Sequence, residues 1–461
     1  MKKPRMVIDP LPHQVEGINW MNRLSSEGLG GILADDMGLG KTYQSISYLV
    51  DQMNSGEEVT ALIVVPAGLV WNWESEFKKL SNLTPNVVMY WGREEKIKKN
   101  SIMITSYPTL VRDSRKYFDL GLTHVILDEA QTVKNSWTKT YKAVREITRT
   151  TKNFALSGTP IENSDEELMN ILKLVNRNSV SITRSNLPEI CSKLTLRRNI
   201  SVVDDMKGLK NIKVPSKFNK KLREFHDASY DSYLRSRKTA LNLQKVIDNK
   251  VKNGEDLGNL PDIVRNLHFK ARSNEVKMKL MLDHPMLEDL TADAYVSEDN
   301  SDHDMSSHKY EDLLNMIKIK VKRGNKLIIF SQYVVMLDLL AVDVKDKLGM
   351  TYHQIDGRVA PKKRVQLVDE FNSGDVDILL ISLKAGGTGL NIASADTVIL
   401  YDSHWNPKVE DQAIGRAYRL GQKNSVKVYK FYTKDSFEEK ILASQERKRG
   451  IFDAYFGETQ G

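Results

Sequence analysis

The chain has 461 residues, 40% of them apolar, enough to bury two or three separate cores. Its formal charge of +8 and pI of about 9.1 favour a polyanionic partner such as nucleic acid. Apolar runs such as Ala61 to Val65 and Leu327 to Phe330 stop far short of the roughly 20 residues that span a bilayer, and none follows Met1-Lys2-Lys3-Pro4-Arg5. A single cysteine, Cys191, can supply neither an intrachain disulfide nor a zinc site, so the expectation is an intracellular protein without secretory signal or structural metal.

In chain order, Gly31-Ile32-Leu33 reads as a short buried strand, and the stretch Ala34-Asp35-Asp36-Met37-Gly38-Leu39-Gly40-Lys41-Thr42 behind it as a phosphate-binding loop that opens a helix. In such a loop the glycines let backbone N–H groups turn toward phosphate oxygens, Lys41 reaches the β and γ phosphates, and the Thr42 hydroxyl ligates Mg2+. The helix adds its positive N-terminal end. The spaced form Gly-x-x-x-x-Gly-Lys-Thr is not met in full, because Asp35 stands where its first glycine would be. Residues Asp36, Met37, Gly38, Leu39, Gly40, Lys41 and Thr42 are the candidate nucleotide contacts.

Further strands are expected at Ala61 to Val65, Ile102 to Thr105, His124 to Leu127 and Phe154 to Leu156, alternating with amphipathic stretches. That alternation predicts an α/β protein with parallel sheets covered by helices. The motif residues sit just past the C-terminal ends of these strands, where open α/β sheets bind ligands. Asp128 and Glu129 follow one strand directly. Because catalysis of phosphoryl transfer is mainly positioning and charge stabilisation, Asp128 reads as a metal ligand and Glu129 as the base that polarises the attacking water.

Residues 216 to 290 lack strand patterning and carry helix-like spacing around Leu222, Phe225, Tyr230 and Tyr233, which predicts a helical insertion. Residues 297 to 304 contain no apolar side chain and read as a solvated loop. A second set of strands is expected at Lys326 to Phe330, Tyr352 to Ile355, Ile378 to Ile381, Thr397 to Tyr401 and Val426 to Phe431, and an amphipathic helix from Ser436 to Phe456. The division expected is a first lobe at 1–215, an insertion with an acidic loop at 216–305, and a second lobe at 306–461.

At this point the chain resembles the Swi/Snf family of helicase-like DNA translocases, within helicase superfamily two, over nearly its whole length. The matching stretches are Leu11 to Gly17, the phosphate loop, Val64 to Glu74, Ile104 to Tyr107, Asp128 to Gln131, Ser157 to Asn163, Leu196 to Arg198, Leu282 to Pro285 and Ile329 to Tyr333. Ser382 to Asn391, His404 to Pro407 and Asp411 to Gln422 complete the order. The resemblance implies two RecA-like lobes that clamp ATP and Mg2+, the ion on Thr42 and Asp128, with Gln14 reading the adenine. It implies DNA contacts from Thr105, Lys384, Thr388 and Trp405, and coupling of hydrolysis to movement through Gln131, Ser157, Thr159, Gly389 and Gln412. Arg416 and Arg419, three residues apart on one face of an expected helix over Gln412 to Arg419, would reach the γ phosphate from the second lobe. The implied activity is ATP hydrolysis driving translocation on double-stranded DNA, with a DNA-bound protein as the object displaced, in the nucleoid or in a nucleus.

A strand-separating helicase and a catalytically idle DNA-binding scaffold are the rival readings. Gln131 stands where many relatives carry His, and no appended module resembling a histone-tail reader, zinc finger or nuclease is expected. For Trp71, Trp73 and Trp405 a place in the core stands open beside a DNA-facing or coupling one. Arg198 and Lys384 have a reading as solvated surface charges, and His13 and His284 read as structural.

Overall fold

The computed structural model describes residues 4–83, 87–89, 101–158, 164–176, 180–203, 208–287, 307–386, 390, 392–419, 422 and 424–456. Contacts divide the chain into two compact units. One comprises Met1–Met206, Asn406–Lys423 and Glu446–Gly461, the other Lys207–Trp405 and Asn424–Gln445.

The first unit is organised on a parallel sheet of β1 (Gly31–Leu33), β2 (Ala61–Val65), β3 (Val87–Met89), β4 (Ile102–Ser106), β5 (His124–Asp128), β6 (Lys152–Leu156) and β7 (Thr195–Leu196), in the order β3-β4-β2-β5-β6-β1-β7. Strands β1, β2 and β4 are buried at every residue, the mark of parallel strands covered on both faces. The five strands expected from apolar runs are all present, to within two residues at any end. The edge strands β3 and β7, three and two residues long, are too short to show a period in sequence. The order sets the chemistry: β5, β6 and β1 are neighbours, so Asp128, Ser157 and Ala34 leave the sheet side by side, and Ser157 N–H donates to the Leu33 carbonyl at 3.2 Å.

The second unit carries a parallel sheet of β8 (Leu209–Ser216), β9 (Leu327–Ser331), β10 (Tyr352–Ile355), β11 (Ile378–Ser382), β12 (Thr397–Leu400) and β13 (Val426–Thr433), in the order β10-β11-β9-β12-β13-β8. Its apolar core includes Leu327, Ile329, Leu380, Ile399 and Phe431. Residues 209–215 fall within the expected first lobe and no strand is expected there, but Leu209–Ser216 forms β8 and pairs with β13. Its alternating, half-exposed residues give the weak apolar signal of an edge strand.

The expected insertion is a pair of long helices, Lys220–Asn253 and Leu260–Asp283. The Asn219 side chain caps the first, accepting from Leu222 N–H at 2.7 Å, and Gly254 ends it at a φ of 68°, which a side chain would strain. Tyr233, Ala271, Met278 and Leu282 pack against Phe437 and Ile441 of the helix Phe437–Phe456, the terminal helix the sequence predicts. The acidic stretch 297–304 lies outside the described residues. Among the described residues no helix is long and apolar enough to cross a membrane.

Candidate nucleotide site

The phosphate loop leaves β1 and turns through Gly38 and Gly40, at φ 91° and 79°, into the helix Lys41–Asn54, which no side chain caps. Both glycines are required for the left-handed backbone, and side chains crowd close to them. A Cβ on Gly40 would lie 2.4 Å from Gln14 Nε2, and one on Gly38 would press on Ile200 at 3.2 Å and stand 3.6 Å from the Arg419 Cα. The Leu39 carbonyl accepts from His13 Nε2 at 3.1 Å and from Gln14 Nε2 and Gln44 Nε2, each at 3.3 Å. Gln14 also accepts from Leu11 N–H through Oε1, which leaves one donor and one acceptor on its amide for a further partner. Lys41 Nζ donates to the carbonyls of Asp35 at 2.6 Å and Asp36 at 3.2 Å, and Lys41 and Thr42 are both half-buried.

Asp128 ends β5 with its carboxylate held by Trp73 Nε1 at 2.7 Å and by Glu129 N–H at 2.9 Å. Burial, and then the neighbouring Glu129, push Asp128 up to about 7. The Tyr107 hydroxyl donates to its carbonyl at 2.8 Å. Glu129 is a non-glycine residue at φ 48°, a conformation that costs on the order of 1 kcal/mol and persists where its surroundings over-determine it. Those surroundings are a chain of side chains. Ser157 Oγ donates to Gln131 Oε1 at 2.8 Å, Gln131 Nε2 donates to Glu129 Oε2 at 2.7 Å, and Gln412 Nε2 donates to the same oxygen at 3.4 Å.

Gln412 arrives on the helix Pro407–Ile414, within the segment Asn406–Lys423 that packs in the first unit although it was expected in the second lobe. The helix stops at Ile414, so the expected helix over Gln412 to Arg419 is not formed. Residues 415 to 417 are turn, closed by Arg416 N–H on the Ala413 carbonyl at 3.2 Å and Ala417 N–H on that of Ile414 at 3.0 Å. A Cβ on Gly415 would stand 3.2 Å from Met37 Cβ, so this turn lies directly on the phosphate loop. Burial brings Arg416 down to about 10 and Glu129 is the largest charge opposing the fall, while burial also lowers Arg419. The side-by-side acids Asp128 and Glu129 are a donor set suited to a divalent cation, which would relieve the repulsion that raises Asp128.

Other expected residues are placed differently. Thr105 is fully buried, its hydroxyl accepting from Tyr117 at 3.0 Å, because strand β4 turns it into the core rather than toward DNA. Trp405, half-buried, packs edge-on against Phe437 and donates from Nε1 to Glu275 Oε1 at 2.5 Å. Trp73 is buried and reaches Asp128. Lys384 is exposed on Leu383–Gly386, as both its surface-charge and its backbone-contact readings require. Thr159, Thr388 and Gly389 lie outside the described residues. Sequence reasoning missed Tyr107, Gln44 and the pairing of Arg198 with Asp35, although the departure at Asp35 was its visible sign. Arg198, with a side chain only 9% exposed, is no solvated surface charge.

A parallel α/β unit with a glycine-turned phosphate loop, an acidic pair at the neighbouring strand end and an arginine-bearing turn against both is the architecture of phosphate-loop nucleotide-binding proteins. Residues 13–184 match the SNF2-related domain and residues 308–421 the helicase conserved C-terminal domain. The chain belongs to the Swi/Snf family of helicase-like proteins. It is 32% identical over 95% of its length to the chromodomain-helicase-DNA-binding protein 3 homolog of Caenorhabditis elegans, and 30% identical over 96% to the putative ATP-dependent helicase/translocase YwqA of Bacillus subtilis. It spans 26% of the first relative and 48% of the second. A solved SWI2/SNF2 ATPase core of Sulfolobus solfataricus, in complex with double-stranded DNA, is 26% identical over 99% of this chain and 95% of that one, with a TM-score of 0.43.

Proposed function

We propose that the chain hydrolyses ATP to ADP and phosphate and uses the cycle to move along double-stranded DNA, remodelling or displacing proteins bound there without processive strand separation. The observation that carries this reading is the convergence on Glu129: Gln131 and, from 283 residues along the chain, Gln412 donate to one carboxylate oxygen, with Arg416 opposite in charge beside it. Lys41 and the loop N–H groups hold the phosphates, Gln14 uses its spare donor and acceptor on adenine, and Glu129 orients the attacking water and takes its proton. Arg416 and Arg419 stabilise the charge that develops as the γ phosphate leaves. Thr42 and Asp128 would hold Mg2+, whose chemistry there is neutralisation of phosphate charge.

Gln131, Ser157 and Gln412 form the path by which the state of the γ phosphate reaches other segments, with Thr159 and Gly389 assigned to the same path by family resemblance. Lys384 and Thr388 contact DNA phosphates. The names of the relatives, which include helicase and translocase, support this activity and this partner. The test is phosphate release with and without duplex DNA, run beside triplex displacement and forked-duplex unwinding. DNA-stimulated release with displacement and no unwinding is the expected result. Unwinding would select a helicase, and DNA binding without hydrolysis an idle scaffold.

A further inference from the structure

The buried pair that stands where the phosphate loop departs from its spaced form has no part in the chemistry above. Asp35 is fully buried, and Arg198, 163 residues later, grips it in a fork, Nε to Oδ1 at 3.0 Å and Nη2 to Oδ2 at 2.5 Å. Every donor of the guanidinium is engaged. Nη2 also reaches Gln44 Oε1 at 2.9 Å, while Nη1 donates to the His13 carbonyl and to Glu16 at 3.4 Å. Gln44 carries the pair onward, its Nε2 donating to Asp35 Oδ2 at 3.1 Å and to the Leu39 carbonyl, the residue between the two loop glycines.

The backbone around Arg198 grips the same loop. Ala34 N–H donates to the Leu196 carbonyl at 2.7 Å, Asp36 N–H to the Arg198 carbonyl at 3.0 Å, and Ile200 N–H to Asp36 Oδ2 at 3.2 Å. The loop is therefore held at Ala34, Asp35 and Asp36 by a strap over residues 196 to 200, and at Leu39 through Gln44. The helix Pro12–Ser26 leaves room for it at Gly17, where a Cβ would fall 1.8 Å from Gln44 Oε1 and 2.8 Å from Arg198 Nη2. A glycine inside a helix is unfavourable for the helix itself, and here the network accounts for it.

We propose that Arg198 is a positioning residue for the nucleotide: through Asp35 and Gln44 it holds the phosphate loop in its binding conformation before ATP arrives. The inference rests on the nucleotide site read above. A loop held this way is ordered before binding, so loosening it weakens ATP and ADP together and leaves the step at saturation nearly untouched. Lysine cannot replace the fork, since it offers a point charge in place of five fixed donors.

The test measures affinity for a fluorescent ATP analogue, melting temperature, and KM against kcat in the parent and in Arg198→Lys, Gln44→Met and their double variant. Expected are a loss of affinity on the order of tenfold in Arg198→Lys, the scale of one charge-assisted hydrogen bond. KM should rise in step, kcat at saturation should stay within a few-fold, and the double variant should lose less than the sum of the singles, because both act through Asp35. Folded variants that bind the analogue as the parent does would overturn the proposal. So would a set in which none folds, since the pair would then belong to the core alone. A parent that binds no nucleotide rejects the site reading itself, a result distinguishable from failure of the clamp.

Discussion

At the scale of single residues, the contrast between Arg416 and Thr105 shows how differently two motif positions behave once folded. Arg416 stands half-buried beside Glu129, where burial lowers its pKa and the carboxylate charge opposes the fall. If it meets transferring phosphate, Arg416→Ala should lower DNA-stimulated turnover by about 10³ to 10⁵-fold with melting temperature nearly unchanged. Steady-state phosphate release checks this, and turnover within a few-fold of the parent would remove Arg416 from the mechanism. Thr105 spends its hydroxyl on Tyr117 inside the core. Thr105→Val should cost roughly 1 kcal/mol of stability by removing the hydroxyl that accepts from Tyr117 and leave DNA affinity as it was. The exposed Lys384→Ala should weaken duplex binding and flatten its salt dependence in a titration followed by anisotropy.

At the scale of elements, the second unit ties three helix ends through one buried cation. Lys309, near the start of the helix His308–Lys322, donates to Asp283 at 2.9 Å at the end of Leu260–Asp283 and to Glu438 at 2.6 Å at the start of Phe437–Phe456. All three side chains are at most 2% exposed. Lys309→Met leaves two carboxylates buried without a counter-charge and should destabilise by roughly 3 to 5 kcal/mol in chemical denaturation.

In the first unit, His124 opens β5 with burial, then Lys152, holding it down to about 4. Its folded value is depressed below the ordinary 6.5, so the unfolded chain binds the extra proton first. The stabilisation from a neutral His124 is complete above about pH 6.5 and is lost as pH falls toward 4, by up to about 3 kcal/mol. His124→Phe should therefore flatten the fall in melting temperature between pH 6.5 and 4; an unchanged slope would assign the acid sensitivity to other groups.

For the whole molecule, an excess of eight positive charges and a resemblance to motors that grip phosphates both bear on one measurable property. Duplex binding should be largely indifferent to sequence and should fall steeply with salt, by orders of magnitude between about 50 and 200 mM if six or more phosphates are contacted. A strong preference for one sequence in competition at fixed salt would contradict this.

By itself the sequence determined the class of the buried strands, the glycine-turned phosphate loop, the acidic pair and the family, because these are local: a buried parallel strand is an apolar run, and a loop that must adopt positive φ needs glycine. Tertiary structure decided the rest. Edge strands β7 and β8 bury too little to leave a pattern, so their partners emerge only from the sheet order. The helix expected through Arg419 ends at Ile414, where Gly415 comes against Met37, a contact no helical period announces. Asp35 looked like a flaw in a motif until Arg198, distant in the chain, supplied its five-donor grip. Side chains that meet across such separations owe their partnership to packing, which the order of residues encodes only through the fold.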